Sequence, residues 1–96
     1  MLFIVIEHFK SHDAAKSVYR RFQEQGRMLP EGLKYIESWT ETTLDRCFQL
    51  MECEDPGLFQ EWTSLWQDLV EFEIVPVVSS KEAVSRCQSL IAEKPL

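Results

Sequence analysis

The run Leu2–Phe9 constrains the fold more than any other part of this sequence. Only two of its eight residues, Glu7 and His8, are polar, which is typical of a strand covered on both faces. Such a strand needs a neighbour on each side, so we predict a central position in a sheet. The 96 residues are enough to bury one core, and we expect a single domain over residues 1–96.

Charge and cysteine content exclude several classes of protein. The net charge of −6, from 16 acidic and 10 basic side chains, argues against nucleic-acid and anionic membrane partners. The apolar run at the N-terminus has no basic leader and breaks at Glu7, so we predict neither a signal peptide nor a membrane span, and we expect a cytoplasmic protein. The odd number of cysteines, three, indicates free thiols, and Cys47 is predicted to be buried and inert.

Hydrophobic periodicity divides the rest of the chain into helices and strands. Ala14, Val18 and Phe22 recur every four residues, which indicates an amphipathic helix. We expect Asp13 to cap this helix and Gly26 to end it. The predicted order is a strand over 2–9, a helix from Asp13 to Gly26, strands over 33–42 and 46–53, a helix from Asp55, a strand over 71–78 and a last helix from Ser79, with residues 93–96 lacking any pattern.

This order is the ferredoxin-like β-α-β-β-α-β pattern with an added C-terminal helix, an α+β fold with an antiparallel sheet. The first and third strands are central in that topology, and Pro76, which lacks a backbone donor, places the fourth at an edge. Both helices cover one face of the sheet, which leaves the other face bare. A second copy of the chain is the simplest cover, so we predict a homodimer through the sheet face.

We assign the two faces of the sheet by keeping the fully apolar series of residues against the helices. Trp62 and Trp66, on the heaviest helical stripe, are predicted as core residues. The strand residues predicted to face the helices are Ile4, Ile6, Ile36, Phe48, Leu50, Phe72 and Ile74. The residues predicted on the opposite face are Phe3, Val5, Glu7, Tyr35, Glu37, Trp39, Gln49, Met51, Glu71, Glu73 and Val75.

Three segments carry a resemblance to a known family. Residues 26–32, 46–53 and 66–73 resemble the signatures of an uncharacterised bacterial family within the dimeric α+β barrel superfamily. The resemblance implies two ferredoxin-like subunits packed sheet against sheet around a cavity. The superfamily includes cofactor-independent monooxygenases, haem-degrading enzymes, lactone isomerases and ligand binders, so the resemblance implies a fold rather than a reaction.

The second face combines a few polar groups with aromatic ones, as a ligand pocket does. We predict Glu7 and Glu73 as paired carboxylates for general acid or base chemistry, and His8 as a base at the cavity mouth. The predicted ligand-binding residues are Tyr35, Trp39, Gln49 and Met51. The alternative is a dimer interface in which these acids pair with Arg27 or Arg46.

No metal or cofactor is predicted. His8 and His12 are four residues apart, but they straddle a strand end and a turn, whereas a His-x-x-x-His metal pair needs a helix. Three functions follow from the sequence: a homodimeric small-molecule binding protein, a cofactor-independent oxygenase or isomerase acting on an aromatic or enolisable molecule, and a structural dimer without a ligand. A closed cavity below about 100 Å³ would favour the third.

Overall fold

The computed structural model describes residues 1–92, which form four strands and three helices. Their order confirms the α+β class and the ferredoxin-like β-α-β-β-α-β pattern followed by a C-terminal helix. The prediction that residues 93–96 lack a pattern falls outside the described residues. The elements are β1 (Leu2–Phe9), α1 (His12–Gln25), β2 (Lys34–Thr40), β3 (Arg46–Glu52), α2 (Leu58–Thr63), β4 (Val70–Val77) and α3 (Ser80–Ala92).

The four strands form one antiparallel sheet in the order β2-β3-β1-β4. The central position predicted for β1 is confirmed, since Val5 lies opposite Gln49 of β3 on one side and Ile74 of β4 on the other. Strand β4 is at an edge of the sheet, as Pro76 indicated. Proline has no backbone N–H, and an edge strand tolerates the missing donor because it pairs with a neighbour on one side only.

A bulge in β2 changes which of its side chains share a face. The register shifts between Tyr35 and Glu37, so that Tyr35 lies opposite Met51 while Trp39 lies opposite Phe48. One inserted residue reverses the alternation of faces along a strand. The prediction that Tyr35 and Trp39 share a face is therefore wrong.

The face of the sheet under the helices is the opposite of the one predicted for β1 and β3. Phe3, Val5 and Met51 are buried, and they cluster with residues of α2 and the turn after it. The prediction is wrong because the polar side chains of Glu7 and Gln49 are bonded to each other and can therefore be buried with this series. Ile4, Ile6, Phe48 and Leu50 are half-buried on the open face, and Ile36 is exposed at the bulge.

For β4 the assignment of faces is correct. Phe72 lies opposite Glu7, and its ring contacts Trp62 at a centroid distance of 5.7 Å. Ile74 lies opposite Val5 on the same face. Trp62 and Trp66 are buried in the core as predicted.

The helices begin and end for identifiable reasons. Ser11 rather than Asp13 caps α1, since its side chain accepts a hydrogen bond from the backbone N–H of Ala14 at 2.9 Å. The helix ends at Gly26, which has a φ of 70°. Helix α2 has only six residues, Leu58–Thr63. Trp66, which was predicted on the same helical stripe as Trp62, therefore lies in the turns that follow the helix.

Helix α3 has little cover in the described part of the chain. Its residues Val84, Leu90 and Ile91 are 55%, 63% and 72% exposed. This helix follows β4, the edge strand of the sheet, and the open face of the sheet also carries apolar side chains, such as Ile6 and Leu50. None of the helices within residues 1–92 has the length and apolar character needed to cross a bilayer.

Candidate functional site

A cavity of about 80 Å³ lies between α1 and the sheet, on the helix-covered face, and is open to solvent on one side. Its walls come from β1, α1, the loop after α1, β2, β3 and the segment of α2. Its aromatic residues are Phe9, Tyr19, Phe22, Trp62 and Trp66, and its polar residues are Glu7, Arg27, Ser38, Thr40, Cys47 and Gln49.

Three side chains from separate segments form a hydrogen-bonded chain in this cavity. The side-chain N–H of Gln49 donates to the Glu7 carboxylate, and the Arg27 Nε donates to the Gln49 Oε1 at 3.2 Å. Glu7 and Gln49 are each only 5% exposed. The Gln49 amide, which both donates and accepts, thus connects a buried carboxyl group to a cation.

Burial controls the protonation of Glu7. Desolvation raises the pKa of this carboxyl group to about 7, against the opposing effects of the Gln49 hydrogen bond and the Arg27 charge. A carboxyl group with a pKa near 7 is present in both protonation states at neutral pH, which suits proton transfer and hydrogen-bond donation. Glu7 can therefore act as a donor or as a base at the same position.

Cys47 lies directly opposite Glu7 on β3. Burial raises the pKa of its thiol to about 11, so the thiol stays protonated near neutral pH and is a poor nucleophile. The predicted burial of Cys47 is confirmed, and its raised pKa agrees with the prediction that it is inert. All three cysteines, Cys47, Cys53 and Cys87, are free.

Arg27 is held in the cavity wall at both its backbone and its side chain. Its carbonyl oxygen accepts hydrogen bonds from the indole N–H groups of Trp62 at 2.8 Å and Trp66 at 3.3 Å. Its guanidinium carbon lies 3.5 Å from the Tyr35 ring centroid and 4.9 Å from that of Phe22. These contacts fix the position of the Arg27 side chain, although the residue itself belongs to a loop.

Hydroxyl groups line the solvent side of the cavity along β2. The Tyr19 hydroxyl is 2.7 Å from the Thr40 Oγ1. Ser38, which also lines the cavity, is 2.7 Å from the Tyr35 hydroxyl. Burial raises the pKa of Tyr19 above its usual value, so its phenol is neutral at physiological pH. The opening thus offers neutral hydrogen-bonding groups.

Four of the predicted site residues lie on the helix-covered face. Glu7 and Gln49 line the cavity. Tyr35 contacts Arg27, which lines it. Met51 is fully buried in the core.

The other three predicted residues lie on the open face, away from the cavity. Glu73 is opposite Ile6, so it does not share a face with Glu7, and the predicted carboxylate pair is not formed. In the observed register Glu7 lies opposite Phe72, the residue before Glu73. Because successive side chains of a strand point to opposite faces, Glu73 points away from the face that holds Glu7. His8 has Arg46 and Glu71 as strand neighbours, and Trp39 is 57% exposed opposite Phe48.

Several residues of the cavity were not singled out by sequence reasoning as a site. The sequence predicts Arg27 only as a partner for acids, although its position between Gly26 and Pro30 indicates a turn. Nothing in the sequence indicates that Tyr19 and Thr40 belong to a site, because their proximity depends on how α1 packs over β2. Among residues 1–92, no group of three His, Cys, Asp or Glu side chains is arranged to hold a metal ion.

Comparison with known proteins identifies a family. Residues 1–91 match the family described as a domain of unknown function, DUF3303. Neither a curated protein nor a solved structure matches the chain. The match covers nearly the whole sequence, including the Gly26–Gly32 loop and strand β3. The chain therefore belongs to the DUF3303 family.

Proposed function

We propose that this protein is a homodimer that binds a small molecule in the cavity beneath α1. The observation that carries the proposal is the buried chain of Glu7, Gln49 and Arg27 at a cavity open to solvent. Burying a carboxyl group destabilises a folded protein unless something compensates. A strongly shifted carboxyl group in a cleft is more common at functional sites than elsewhere.

The size of the cavity limits what can enter it. Its volume of about 80 Å³ is well below the roughly 300–1,000 Å³ of pockets for drug-sized ligands. It is also below the limit of about 100 Å³ at which a closed cavity would favour a structural dimer. Because this cavity is open on one side, a ligand can insert a small group and leave its remainder between Tyr19 and β2.

The open sheet face supports the dimer part of the proposal. It carries half-buried apolar residues at its centre, and α3, which follows the edge strand β4 in the chain, has further exposed apolar side chains. Exposed apolar patches larger than a few hundred Å² are rare in monomers. The dimeric α+β barrel, in which two such sheets pack together, is the arrangement that would cover them. The free thiols support a cytoplasmic location.

A fragment screen followed by NMR tests ligand binding. We expect a subset of fragments to shift the backbone amide signals of Arg27, Thr40 and Gln49, which line the cavity. Glu7→Gln should change the affinity of these fragments at least tenfold. Glu73→Gln makes the same chemical change on the open face and should leave the affinity unaltered.

The binding proposal fails if no fragment shifts these signals, or if the two variants alter fragment binding equally. In the first case a structural dimer without a ligand is the remaining explanation. The small volume of the cavity favours that explanation over an enzyme for large substrates.

A second candidate function is catalysis by Glu7, as a cofactor-independent oxygenase or isomerase. It is favoured by the pKa of about 7 that burial confers on this carboxyl group, which suits a general base. Turnover of an enolisable substrate should be lost in Glu7→Gln and retained in Glu73→Gln. A Glu7→Gln variant that gains stability but processes the same substrate at the wild-type rate would exclude this role.

A further inference from the structure

We propose that the cavity takes a small organic acid whose carboxylate pairs with the guanidinium group of Arg27. The inference rests on the proposed function, since it names the class of ligand for the same cavity. It is carried by the bonding of Arg27, by the charges around the cavity and by the composition of its walls.

Arg27 has donors to spare for a ligand. Its Nε is bonded to Gln49, but no Asp or Glu of residues 1–92 forms an ion pair with this guanidinium. The other arginines with bonded side chains, such as Arg21 and Arg46, have carboxylates at 2.7 and 2.8 Å. A guanidinium group is well suited to a carboxylate because two of its N–H groups can bind both oxygens.

Two aromatic rings contact the guanidinium group of Arg27. The guanidinium carbon lies 3.5 Å from the Tyr35 ring centroid and 4.9 Å from the Phe22 centroid, so the group is held in place before any ligand arrives. A preorganised charge loses little conformational entropy on binding. Within the described residues, Arg27 is thus a fixed cation at a cavity, without a carboxylate bound directly to it.

The charges that face Glu7 favour an anion over a cation. The neighbouring titratable groups are the Cys47 thiol on β3 and the Tyr19 phenol on α1, and both are neutral near pH 7 because their pKa values are raised. Gln49 is uncharged and β4 contributes Phe72. With Glu7 protonated, the net charge at the cavity is that of Arg27, +1, and a monoanion neutralises it. A cationic ligand would be repelled by Arg27, because no negative charge in the cavity offsets that of the guanidinium group when Glu7 is protonated.

Binding should therefore involve proton uptake. The Glu7 carboxyl group has a pKa of about 7, and an anion beside it raises this pKa further. As the pH rises above 7, the uptake approaches one proton from solvent for each carboxylate bound. Below pH 7, Glu7 is already protonated and can donate a hydrogen bond.

The walls determine the rest of the ligand. Phe9, Tyr19, Phe22, Trp62 and Trp66 surround the polar groups with aromatic surface. Such walls stack on aryl groups and pack against short alkyl chains. The expected class is thus aryl or short alkyl carboxylates, with the acid group inside and part of the hydrocarbon in the opening.

Three molecules with the same ring test the inference: phenylacetate, phenylacetamide and phenethylamine. We expect phenylacetate to bind at least tenfold more tightly than the amide, and the amine more weakly still, in NMR titrations of the full chain at pH 6. The affinity for phenylacetate should fall about tenfold between pH 6 and pH 8, since Glu7 loses its proton in this range while the ligand stays ionised.

Variants assign the effects to residues. Glu7→Gln should remove the pH dependence, and Arg27→Gln should remove the preference for the acid over the amide. Arg46→Gln, a change on the open face, is the matched control and should do neither. The wild-type titrations need no variant, so the inference stays testable even if Arg27→Gln does not fold.

The outcomes separate the inference from the function on which it rests. If the amide or the amine binds as tightly as the acid and shifts the cavity signals, the ligand class is wrong and the binding function stands. If inorganic phosphate competes equally with phenylacetate, recognition is of anions in general and the inference of an organic acid fails. If neither these probes nor any screened fragment reaches the cavity, both proposals fail.

Discussion

At the scale of single residues, burial of the Glu7 carboxyl group couples folding to pH. Its pKa is raised from 4.5 to about 7 in the folded protein, so the folded state retains a proton that the unfolded chain releases. The stabilising effect of this proton is fully present below about pH 4.5 and is lost as the pH rises through the folded pKa of about 7.

Glu7→Gln should remove this pH dependence. Glutamine keeps an oxygen that can accept the hydrogen bond from Gln49 but cannot ionise. We expect the variant to be about 3 kcal/mol more stable than the wild type at pH 8 and similar in stability at pH 4.5, because each unit of pKa shift corresponds to about 1.36 kcal/mol. Urea unfolding across this range measures the difference. Glu73→Gln is the control, and parallel curves for the wild type and Glu7→Gln would contradict the prediction.

At the scale of elements, the hairpin between β2 and β3 combines a strong contact with a strained one. Arg46 donates two hydrogen bonds to the Glu41 carboxylate at 2.8 and 3.0 Å, and these bonds close the link between the two strands. Within that link Leu44 has a φ of 63°, a conformation that side chains with a Cβ adopt at a cost. Leu44 is 47% exposed, so it has little packing to offset this.

Leu44→Gly should stabilise the protein by about 1 kcal/mol, because glycine adopts positive φ without the steric penalty. Leu44→Ala is the matched control, since it removes the same packing but keeps a Cβ. We expect the alanine variant to show no gain in thermal unfolding experiments. Equal stabilities of the two variants would show that the backbone conformation of Leu44 is not the source of strain.

At the scale of the whole molecule, the open sheet face is the surface that a second copy would cover. We expect the wild type to sediment as a dimer at micromolar concentration. Leu50→Lys should give a folded monomer, since an unpaired charge buried in an interface costs on the order of several kcal/mol. Leu65→Lys makes the same change at a residue that is 44% exposed and lies outside the sheet, and it should stay dimeric.

A wild-type monomer under these conditions would refute the sheet-to-sheet dimer. It would leave the proposals for the cavity intact, because the cavity lies on the helix-covered face and not on the open face that a second copy would cover. The oligomeric state and the ligand are thus tested independently.

The sequence by itself determined the order of the elements, because each depends on local periodicity and on residues such as Gly26 and Pro76. It also determined that β1 is central, because so apolar a strand needs neighbours on both sides. It identified Glu7 and Gln49 as residues of interest, since polar side chains in apolar strands require a partner or a function.

Only the tertiary structure decided which face of the sheet the helices cover and where the cavity lies. A period of two shows that the faces of a strand differ, but in β1 both series are apolar up to Ile6, so either could face the helices. The outcome depended on a hydrogen bond between Glu7 and Gln49, 42 residues apart, and on the bulge at Ile36. It also depended on the position of Arg27, which two tryptophans from a distant segment hold. Each of these contacts joins residues that are brought together only when the chain folds.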